Sequence, residues 1–400
     1  MHVSRLELRD FRNYEHAELE LDAGPHLLVG RNGQGKTNLV EAIGYLATLS
    51  SHRVSSDAAL VRRGCAAAIV RAQLRHGDRE LGIDVEITKS GSNTARINGR
   101  VVKARELPRY VTSVLFAPED LSLVRGDPSR RRGFLDELIA TRSPRAGTAM
   151  SDYERVLRQR NSLLRSARAT GLKDAQLSTL EVWDERLVRL GSEIIAERLV
   201  LAGELGPFLA GAYERLVGED HGAGLSLRLS ALAHAGSVLG DEDDDDAGDA
   251  EGGDITVAEL EERFAGRLAE LRPKELERGQ TLVGPHRDDA VLWLNGLPAR
   301  VTASHGESWS FALALRLAAA ELVRADSRAG DPILILDDVF AELDARRRSR
   351  LADAVGEFEQ VLITAAVLED VPEALRRHAI RIEAGRIVEA SREGAEGEAP

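Results

Sequence analysis

Residues 30–37, Gly-Arg-Asn-Gly-Gln-Gly-Lys-Thr, are the most informative segment of this chain. They have the spacing of a phosphate-binding loop, which needs Gly, four free positions, Gly, Lys, and then Ser or Thr. An apolar stretch at 26–29 precedes the loop, and a helix-like stretch at 38–43 follows it. Because this is the strand–loop–helix context that the pattern requires, we interpret the segment as a nucleotide site rather than a glycine-rich turn.

The residue types in this loop suit phosphate chemistry. Backbone N–H groups can surround an anion, and the N-terminus of the following helix adds a partial positive charge. Lys36 can reach the β- and γ-phosphates, which makes it a predicted catalytic residue, and the Thr37 hydroxyl can ligate Mg²⁺. The predicted nucleotide-binding residues here are Gly30, Arg31, Asn32, Gly33, Gln34, Gly35, Lys36, Thr37 and Asn38.

The composition limits the class of protein. The chain has 400 residues, too many for one ordinary domain, and its hydrophobic content of 43% is typical of globular proteins. No run of about 18 apolar residues occurs, so no membrane span is expected. The first residues are too charged for a secretory signal, and the single cysteine, Cys65, excludes an intrachain disulfide. We therefore expect a cytoplasmic protein without a membrane partner.

The net charge of −13 by itself argues against a nucleic-acid partner, but much of this charge lies in one short segment. Residues 241–254 carry nine acids and no basic residue, and removing these nine from the balance of −13 leaves −4. Such a stretch cannot bury apolar surface, which predicts a disordered insertion over 238–254. Arginines cluster at 125–132, 155–168 and 346–350. Each cluster alone is typical of a solvated helix face, but together they are compatible with a DNA-binding surface.

The chain alternates between sheet-like and helical character. The first 110 residues, apart from the helix after the loop, show mainly the period of strands, with Asn98-Gly99 as a type I′ hairpin signal. Helical periodicity covers about 130–218 and returns at 256–280, which predicts a short antiparallel arm. Buried-strand character resumes after about residue 282.

These patterns predict an α/β fold with an inserted helical part. The predicted segments are a sheet-rich part at 1–115 and 301–390, a mainly helical part at 116–300 and a frayed tail at 391–400.

A second part of the nucleotide site is predicted near the C-terminus. Residues 333–336 are apolar and lead directly into Asp337 and Asp338. Ligands of α/β sheets bind at the carboxyl ends of strands. Asp337 is therefore predicted to hold Mg²⁺ opposite Thr37, and Asp338 to polarise an attacking water. An ordinary strand end with solvated aspartates is the alternative interpretation.

Two short segments narrow the class. Ser304-His-Gly-Glu307 opens a predicted helix at 308–324, and Ser304 can either cap that helix or contact a phosphate. The segment 339–344 follows the two carboxylates directly. In this order the motifs resemble an ABC-type ATPase head. The resemblance implies a lobe I over 1–115 and 301–390, made of the phosphate-loop sheet with an antiparallel β subdomain, and an inserted, mainly helical lobe II over 116–300. The resemblance implies ATP as the nucleotide and an ATP-dependent homodimer, in which Ser304, Gly306 and Glu307 complete the ATP site of the opposing subunit.

Longer segments resemble the RecF family of bacterial DNA-repair ATPases, which are related to SMC proteins. The similar segments are 10–14, 118–136, 284–289 and 336–351, and the resemblance covers residues 1 to about 388 apart from the acidic insertion. It implies a weak, DNA-stimulated ATPase that binds double-stranded DNA near single-strand gaps. It also implies action with RecR and RecO, loading of RecA on gapped DNA coated by single-strand-binding protein, and induction of the SOS response.

Two departures from transporter-type heads are visible. No Gln lies within 111–120, so Glu119 is the predicted replacement as a metal ligand. The switch histidine expected after the strand at 360–363 is absent, and Thr364 or Ala365 takes its place. Both changes favour slow hydrolysis. The alternatives are a chromosome-organising or transport ATPase subunit, and a scaffold that binds ATP without hydrolysing it. His286 and His305 are interpreted as structural and variable residues, respectively.

Overall fold

The computed structural model describes residues 1–171, 178–233, 255–327 and 330–392. The chain divides into two compact units. The sheet unit comprises Met1–Asp120, Ala212–Glu219 and Ala312–Pro400, and the helical unit comprises Leu121–Gly211 and Asp220–Phe311.

The regular elements alternate along the chain. The strands are β1 (His2–Phe11), β2 (Tyr14–Glu20), β3 (Gly24–Val29), β4 (Ala67–His76), β5 (Arg79–Thr88), β6 (Thr94–Ile97), β7 (Arg100–Val102), β8 (Ser113–Phe116), β9 (Gly224–Arg228), β10 (Asp289–Leu294), β11 (Leu297–Pro298), β12 (Ile333–Asp337), β13 (Gln360–Ala365), β14 (His378–Glu383) and β15 (Arg386–Arg392). The helices are α1 (Lys36–Thr48), α2 (Leu121–Arg125), α3 (Pro128–Arg142), α4 (Pro144–Thr170), α5 (Ser178–Val217), α6 (Val257–Arg278), α7 (Ala299–Thr302), α8 (His305–Asp326) and α9 (Ala345–Val355).

An antiparallel sheet forms one layer of the sheet unit, in the order β2-β1-β4-β5-β6-β7. Its strands alternate buried and exposed residues, as a sheet with one packed face requires. The turn between β6 and β7 has positive φ at Asn98 (48°) and Gly99 (77°). Both values are those of a type I′ turn, so the hairpin prediction is confirmed.

The second layer is a mainly parallel sheet, in the order β15-β14-β3-β13-β12-β8. Strand β12 is buried at every position, which explains its continuous apolar sequence. Strands β3, β13, β12 and β8 run parallel, so their carboxyl ends meet at one edge. Side chains of both sheets and of α1 share one hydrophobic core, which explains why residues 39–47 of that helix are all buried. The core therefore fixes the loop between β3 and α1 at this edge.

The helical unit contains α2, α3, α4, α6, α7, most of α5, the start of α8 and a small sheet in the order β11-β10-β9. Helix α5 packs inward at Leu187 and Ile194, which are buried. Arg160 is fully buried, and its guanidinium donates to Asp184, Thr281 and Glu275. This arginine is therefore structural, although the sequence placed it within a solvated or DNA-facing cluster.

Other arginines of the predicted clusters also form hydrogen bonds within the helical unit. Arg131 forms a bidentate ion pair with Asp289, and Arg132 donates to the backbone oxygen of Asp288 at 2.7 Å. Arg130 remains exposed. Only some arginines of each cluster can thus contribute to a basic surface.

The two units do not divide the chain at the predicted lobe boundaries, which follow residues 115 and 300. They divide it instead after Asp120 and after Phe311, which places the Ser304 segment in the helical unit. The reason is local, because Arg125 donates to the Ser308 hydroxyl at 3.0 Å and to the backbone oxygen of Ala303 at 2.8 Å.

Two predicted segments lie wholly or partly outside the residues that the structure describes. The acidic insertion at 238–254 lies outside the described residues. Strand β15 continues to Arg392, two residues into the tail predicted at 391–400, and the rest of that tail is also outside the described residues.

Candidate nucleotide-binding site

The loop between β3 and α1 has the backbone geometry of an anion-binding turn. Gly33 and Gly35 have φ values of 81° and 116°, which side chains other than glycine rarely adopt. A Cβ at Gly35 would lie 2.8 Å from Asn13 Nδ2 and from the Tyr14 hydroxyl. Lys36 is only 3% exposed, and its Nζ donates to the backbone oxygen of Gly30 at 2.7 Å. These constraints explain the residue types of the sequence pattern.

The remaining predicted loop residues lie on the same turn and at the start of α1. Arg31 and Asn32 are exposed, and Gln34, Thr37 and Asn38 are half-buried. The turn therefore presents side chains and backbone N–H groups together at the N-terminus of a helix, where anions are favoured.

The turn between β1 and β2 supports this loop. Asn13 Nδ2 donates to the backbone oxygen of Gln34 at 3.1 Å, and Asn13 Oδ1 accepts from Asn38 Nδ2 at 2.7 Å. The Tyr14 hydroxyl donates to the backbone oxygen of Gly35 at 3.1 Å. This supporting role was not predicted from the sequence, in which residues 10–14 stand out only as a segment similar to the family. The adjacent polar groups of Asn13 and Tyr14, at the turn between two strands, are the sequence feature that could have predicted it.

A buried ion pair fixes α1 to the same turn. Arg12 donates from Nε and Nη2 to both carboxylate oxygens of Glu41, at 2.8 and 2.5 Å. Glu41 is 1% exposed. Burial alone would raise the pKa of Glu41, but the hydrogen bonds from Arg12 and Ser51 and the nearby Arg53 hold it below its ordinary value. Its charge is therefore compensated inside the fold.

The hairpin of β14 and β15 closes the other side of the loop. Gly385 N–H donates to the backbone oxygen of Gln34 at 2.9 Å, and Ala384 N–H donates to the Gln34 side chain. A Cβ at Gly30 would lie 2.3 Å from the backbone oxygen of Ile382, so only glycine fits there. A cavity of about 730 Å³ opens between the loop and this hairpin.

The second predicted half of the site meets the loop at the end of β12. The Thr37 hydroxyl donates to Asp337 Oδ1 at 3.0 Å, and the Thr364 hydroxyl donates to the same oxygen at 2.6 Å. Burial raises the pKa of Asp337 to about 6, and the charges of Asp338 and Glu119 add to this rise. A bound cation would reverse the effect, because it favours the charged carboxylate.

Asp338 has an unusual backbone conformation. Its φ is 51°, in the left-handed region that non-glycine residues seldom occupy. Its N–H donates to the Thr364 hydroxyl at 2.9 Å, which helps to hold this conformation. Backbone strain of this kind clusters at functional sites, so the observation agrees with the catalytic role predicted for this carboxylate.

The oxygen ligands present fit Mg²⁺. A carboxylate and a hydroxyl are hard donors, and Mg²⁺ is usually held by one or two such groups together with phosphate oxygens. Within the described ranges, no group of three His, Cys, Asp or Glu side chains could hold a metal by itself. Thr37 and Asp337 are the residues that would hold the ion together with a nucleotide, and this role stays a prediction. Glu119 is exposed, and its role as a ligand stays a prediction.

The Ser304 segment forms a helix cap in the helical unit. Glu307 N–H donates to the Ser304 hydroxyl at 3.3 Å, and Ser304 N–H donates to Glu307 Oε2 at 2.7 Å. This reciprocal pair is a capping box, which confirms the N-cap interpretation. Ser304 is exposed and Gly306 is half-buried at this helix N-terminus. The additional contact of Ser304, Gly306 and Glu307 with a nucleotide stays a prediction.

The two histidines differ in environment. His286 is half-buried, its Nδ1 lies 2.7 Å from the Tyr153 hydroxyl, and burial lowers its pKa to about 3. His305 is exposed and its Nε2 accepts from the Trp309 indole at 3.1 Å. A structural role for His286 agrees with these contacts.

Across the described residues, no helix is long and apolar enough to cross a membrane.

Fold and site together define the class of the protein as an ABC-type ATPase head with an inserted helical unit. A family model described as the RecF/RecN/SMC N-terminal domain matches residues 2–387. The chain belongs to the RecF family of bacterial DNA replication and repair proteins, which confirms the resemblance.

Relatives and solved structures agree on this family. A DNA replication and repair protein RecF from Clavibacter sepedonicus is 59% identical over 392 residues, covering 97% of this chain and 95% of the relative. The RecF of Leifsonia xyli subsp. xyli is 56% identical over 393 residues, covering 98% of this chain and 100% of the relative. A solved structure of the recombination mediator protein RecF-ATP in the RecFOR pathway is 27% identical, with a TM-score of 0.83, and covers 98% of this chain and 97% of that chain.

More distant structures show the fold alone. An Smc head domain with an extended coiled coil from Pyrococcus furiosus, bound to the C-terminal domain of ScpA, is 17% identical with a TM-score of 0.53. It covers 97% of this chain and 96% of that chain. The head architecture is thus common to RecF and SMC proteins.

Proposed function

We propose that this chain is an ATP-controlled DNA-binding protein of recombinational repair. The observation that carries the proposal is the hydrogen bond between Thr37 and Asp337, which unites the phosphate-binding loop with a buried carboxylate at 3.0 Å. RecF relatives are named DNA replication and repair proteins, and a similar solved structure contains RecF with ATP.

In this proposal the loop binds the phosphates of ATP through its N–H groups and Lys36. Thr37 and Asp337 hold Mg²⁺, with Glu119 as a predicted further ligand. When bound, the ion neutralises charge on the phosphate oxygens. Asp338 acts as the general base that orients and polarises the attacking water. Hydrolysis is weak, stimulated by DNA, and serves to end the ATP-bound state.

The proposal also includes an ATP-dependent homodimer. Ser304, Gly306 and Glu307 from one copy contact the nucleotide on the loop of the other copy. The capping box supports this role, because it holds the Ser304 hydroxyl at an exposed helix N-terminus where phosphate is favoured. ATP would then join two heads, and its hydrolysis would release them.

DNA is the proposed macromolecular ligand. The dimer binds double-stranded DNA near single-strand gaps, and with RecO and RecR it promotes loading of RecA onto gapped DNA coated by single-strand-binding protein, which leads to SOS induction. The similar RecF structure is named as part of the RecFOR pathway, which supports RecO and RecR as partners. Arg130, Arg165 and Arg168 are exposed on helices of the helical unit and can contact phosphates.

Mixing two defective variants tests the composite site. Lys36→Arg impairs the loop and Ser304→Arg impairs the opposing segment, so each homodimer has two damaged sites. A mixed dimer has one intact site, and free exchange should therefore restore up to about a quarter of the parent ATPase rate. If the mixture is no faster than the two variants measured separately, the trans arrangement is wrong.

A further inference from the structure

Thr364 occupies a central position in the parallel sheet. It lies in β13, where its register partners are Leu28 of β3 on one side and Asp337 of β12 on the other. Its exposed fraction is 0%. The side chain is therefore next to the strand that leads into the phosphate-binding loop and next to the predicted metal ligand.

One hydroxyl group connects the two carboxylate residues. Thr364 Oγ1 lies 2.6 Å from Asp337 Oδ1 and accepts a hydrogen bond from Asp338 N–H at 2.9 Å. A threonine hydroxyl has one proton, and the short contact to Asp337 takes it. The Asp338 N–H, the Thr364 hydroxyl and Asp337 Oδ1 thus form one chain of hydrogen bonds.

Thr37 reaches Asp337 Oδ1 from the loop, at 3.0 Å. The same carboxylate oxygen is consequently fixed by two hydroxyls from different elements. Asp338 depends on the same chain, because its left-handed backbone, with φ of 51°, is hydrogen-bonded to Thr364. Removal of the Thr364 hydroxyl would leave the Asp338 N–H without this acceptor and the Asp337 carboxylate with one hydrogen bond fewer.

We propose that Thr364 is a positioning residue that sets the geometry of Asp337 and Asp338 relative to each other for ATP hydrolysis. It differs from a phosphate-sensing histidine, because its only proton is donated to Asp337 and not to a nucleotide. The inference rests on the proposed ATPase function. It assigns this threonine to the hydrolysis step rather than to nucleotide affinity.

Steady-state ATPase kinetics of Thr364→Val test the inference. Valine keeps the shape and suits a buried strand, but it lacks the hydroxyl. Misplaced catalytic groups cost up to about 100-fold in rate, so we expect kcat to fall by roughly 10- to 100-fold. KM for ATP should differ from the parent value by less than about threefold, because the variant keeps the interactions that bind ATP equally well in the ground state and the transition state. Ile363→Val, a change at the neighbouring buried position of β13, is the matched control and should keep the parent kcat.

A second pair of variants isolates the hydroxyl even if the valine variant unfolds. Thr364→Ser and Thr364→Ala both lose the methyl group and differ only in Oγ, so the serine variant should be roughly tenfold or more faster. Equal kcat in that pair, or a parent-like kcat for Thr364→Val, overturns the inference and leaves the ATPase function standing. If the parent hydrolyses no ATP, the proposed ATPase activity is absent and the inference is overturned with it.

Discussion

The Thr37 hydroxyl donates to Asp337 Oδ1 across 3.0 Å, although 300 positions separate the two residues in sequence. The parallel sheet brings them together, because β13 lies between β3 and β12 and aligns the carboxyl ends of all three strands. The sheet order thus creates a site that neither segment forms alone.

Lys36→Arg should keep the fold but weaken ATP binding by roughly tenfold or more. Lys36 is 3% exposed with Nζ against the loop backbone, and the larger planar guanidinium cannot occupy that place as a compact charge. Calorimetric titration with ATP measures the affinity, and sedimentation measures the dimer. Lys89→Arg, at an exposed lysine, is the control. Parent-like ATP affinity in Lys36→Arg would contradict the proposed role.

Asp338→Asn should slow hydrolysis by about 10²- to 10⁴-fold, the usual contribution of a general base, while ATP binding persists. The ATP-bound dimer should consequently live longer. Phosphate release under single-turnover conditions measures the rate. Glu342→Gln, an exposed residue of the same segment, serves as the control and should hydrolyse ATP normally. Equal rates for both variants would show that Asp338 is not the base.

Arg12→Ala should destabilise the sheet unit by about 3 kcal/mol, the cost of leaving a buried charge without its partner. The charge in question is Glu41, which is 1% exposed and bound at both oxygens. Urea unfolding measures the loss. Arg9→Ala, at an exposed position of β1, should change stability by less than about 0.5 kcal/mol. A similar small change for Arg12→Ala would mean that the pair contributes little.

Asp288→Asn should change how stability depends on pH. Burial raises the pKa of Asp288 to about 6, so the folded state holds a proton that the unfolded state loses above about pH 4. The contribution of the Asp288 carboxyl to the free energy of unfolding therefore falls as pH rises from about 4 to 6. His286 has its pKa lowered to about 3, and its contribution has the opposite sign, with stability lost as pH falls below about 6.5.

Removing the carboxyl leaves the histidine effect unopposed. Between pH 4 and 6 the free energy of unfolding of Asp288→Asn should rise more steeply with pH than that of the parent, by up to about 3 kcal/mol over the window. Urea unfolding at several pH values compares the two proteins. Parallel pH profiles would contradict the raised pKa of Asp288.

The sequence predicted those parts of the site that depend on local spacing. Gly33 and Gly35 have the positive φ that this loop requires, and glycine at these positions is visible in the sequence. The strand that ends in Asp337 is likewise predicted by its continuous apolar sequence. The role of Thr364 could not be predicted, because it depends on which strand lies between two others. The same holds for Arg160, whose partner Glu275 is 115 positions away and whose sequence neighbourhood is typical of a solvated helix.

ATP should control DNA binding, and the decisive measurement is DNA affinity with and without ATP. The measurement compares gapped with blunt duplex at several salt concentrations. We predict that ATP raises affinity, that gapped DNA is preferred, and that affinity falls steeply with salt because phosphate contacts dominate. An affinity that is the same with and without ATP would show that ATP does not control DNA binding, and one that does not change with salt would show that phosphate contacts do not dominate it.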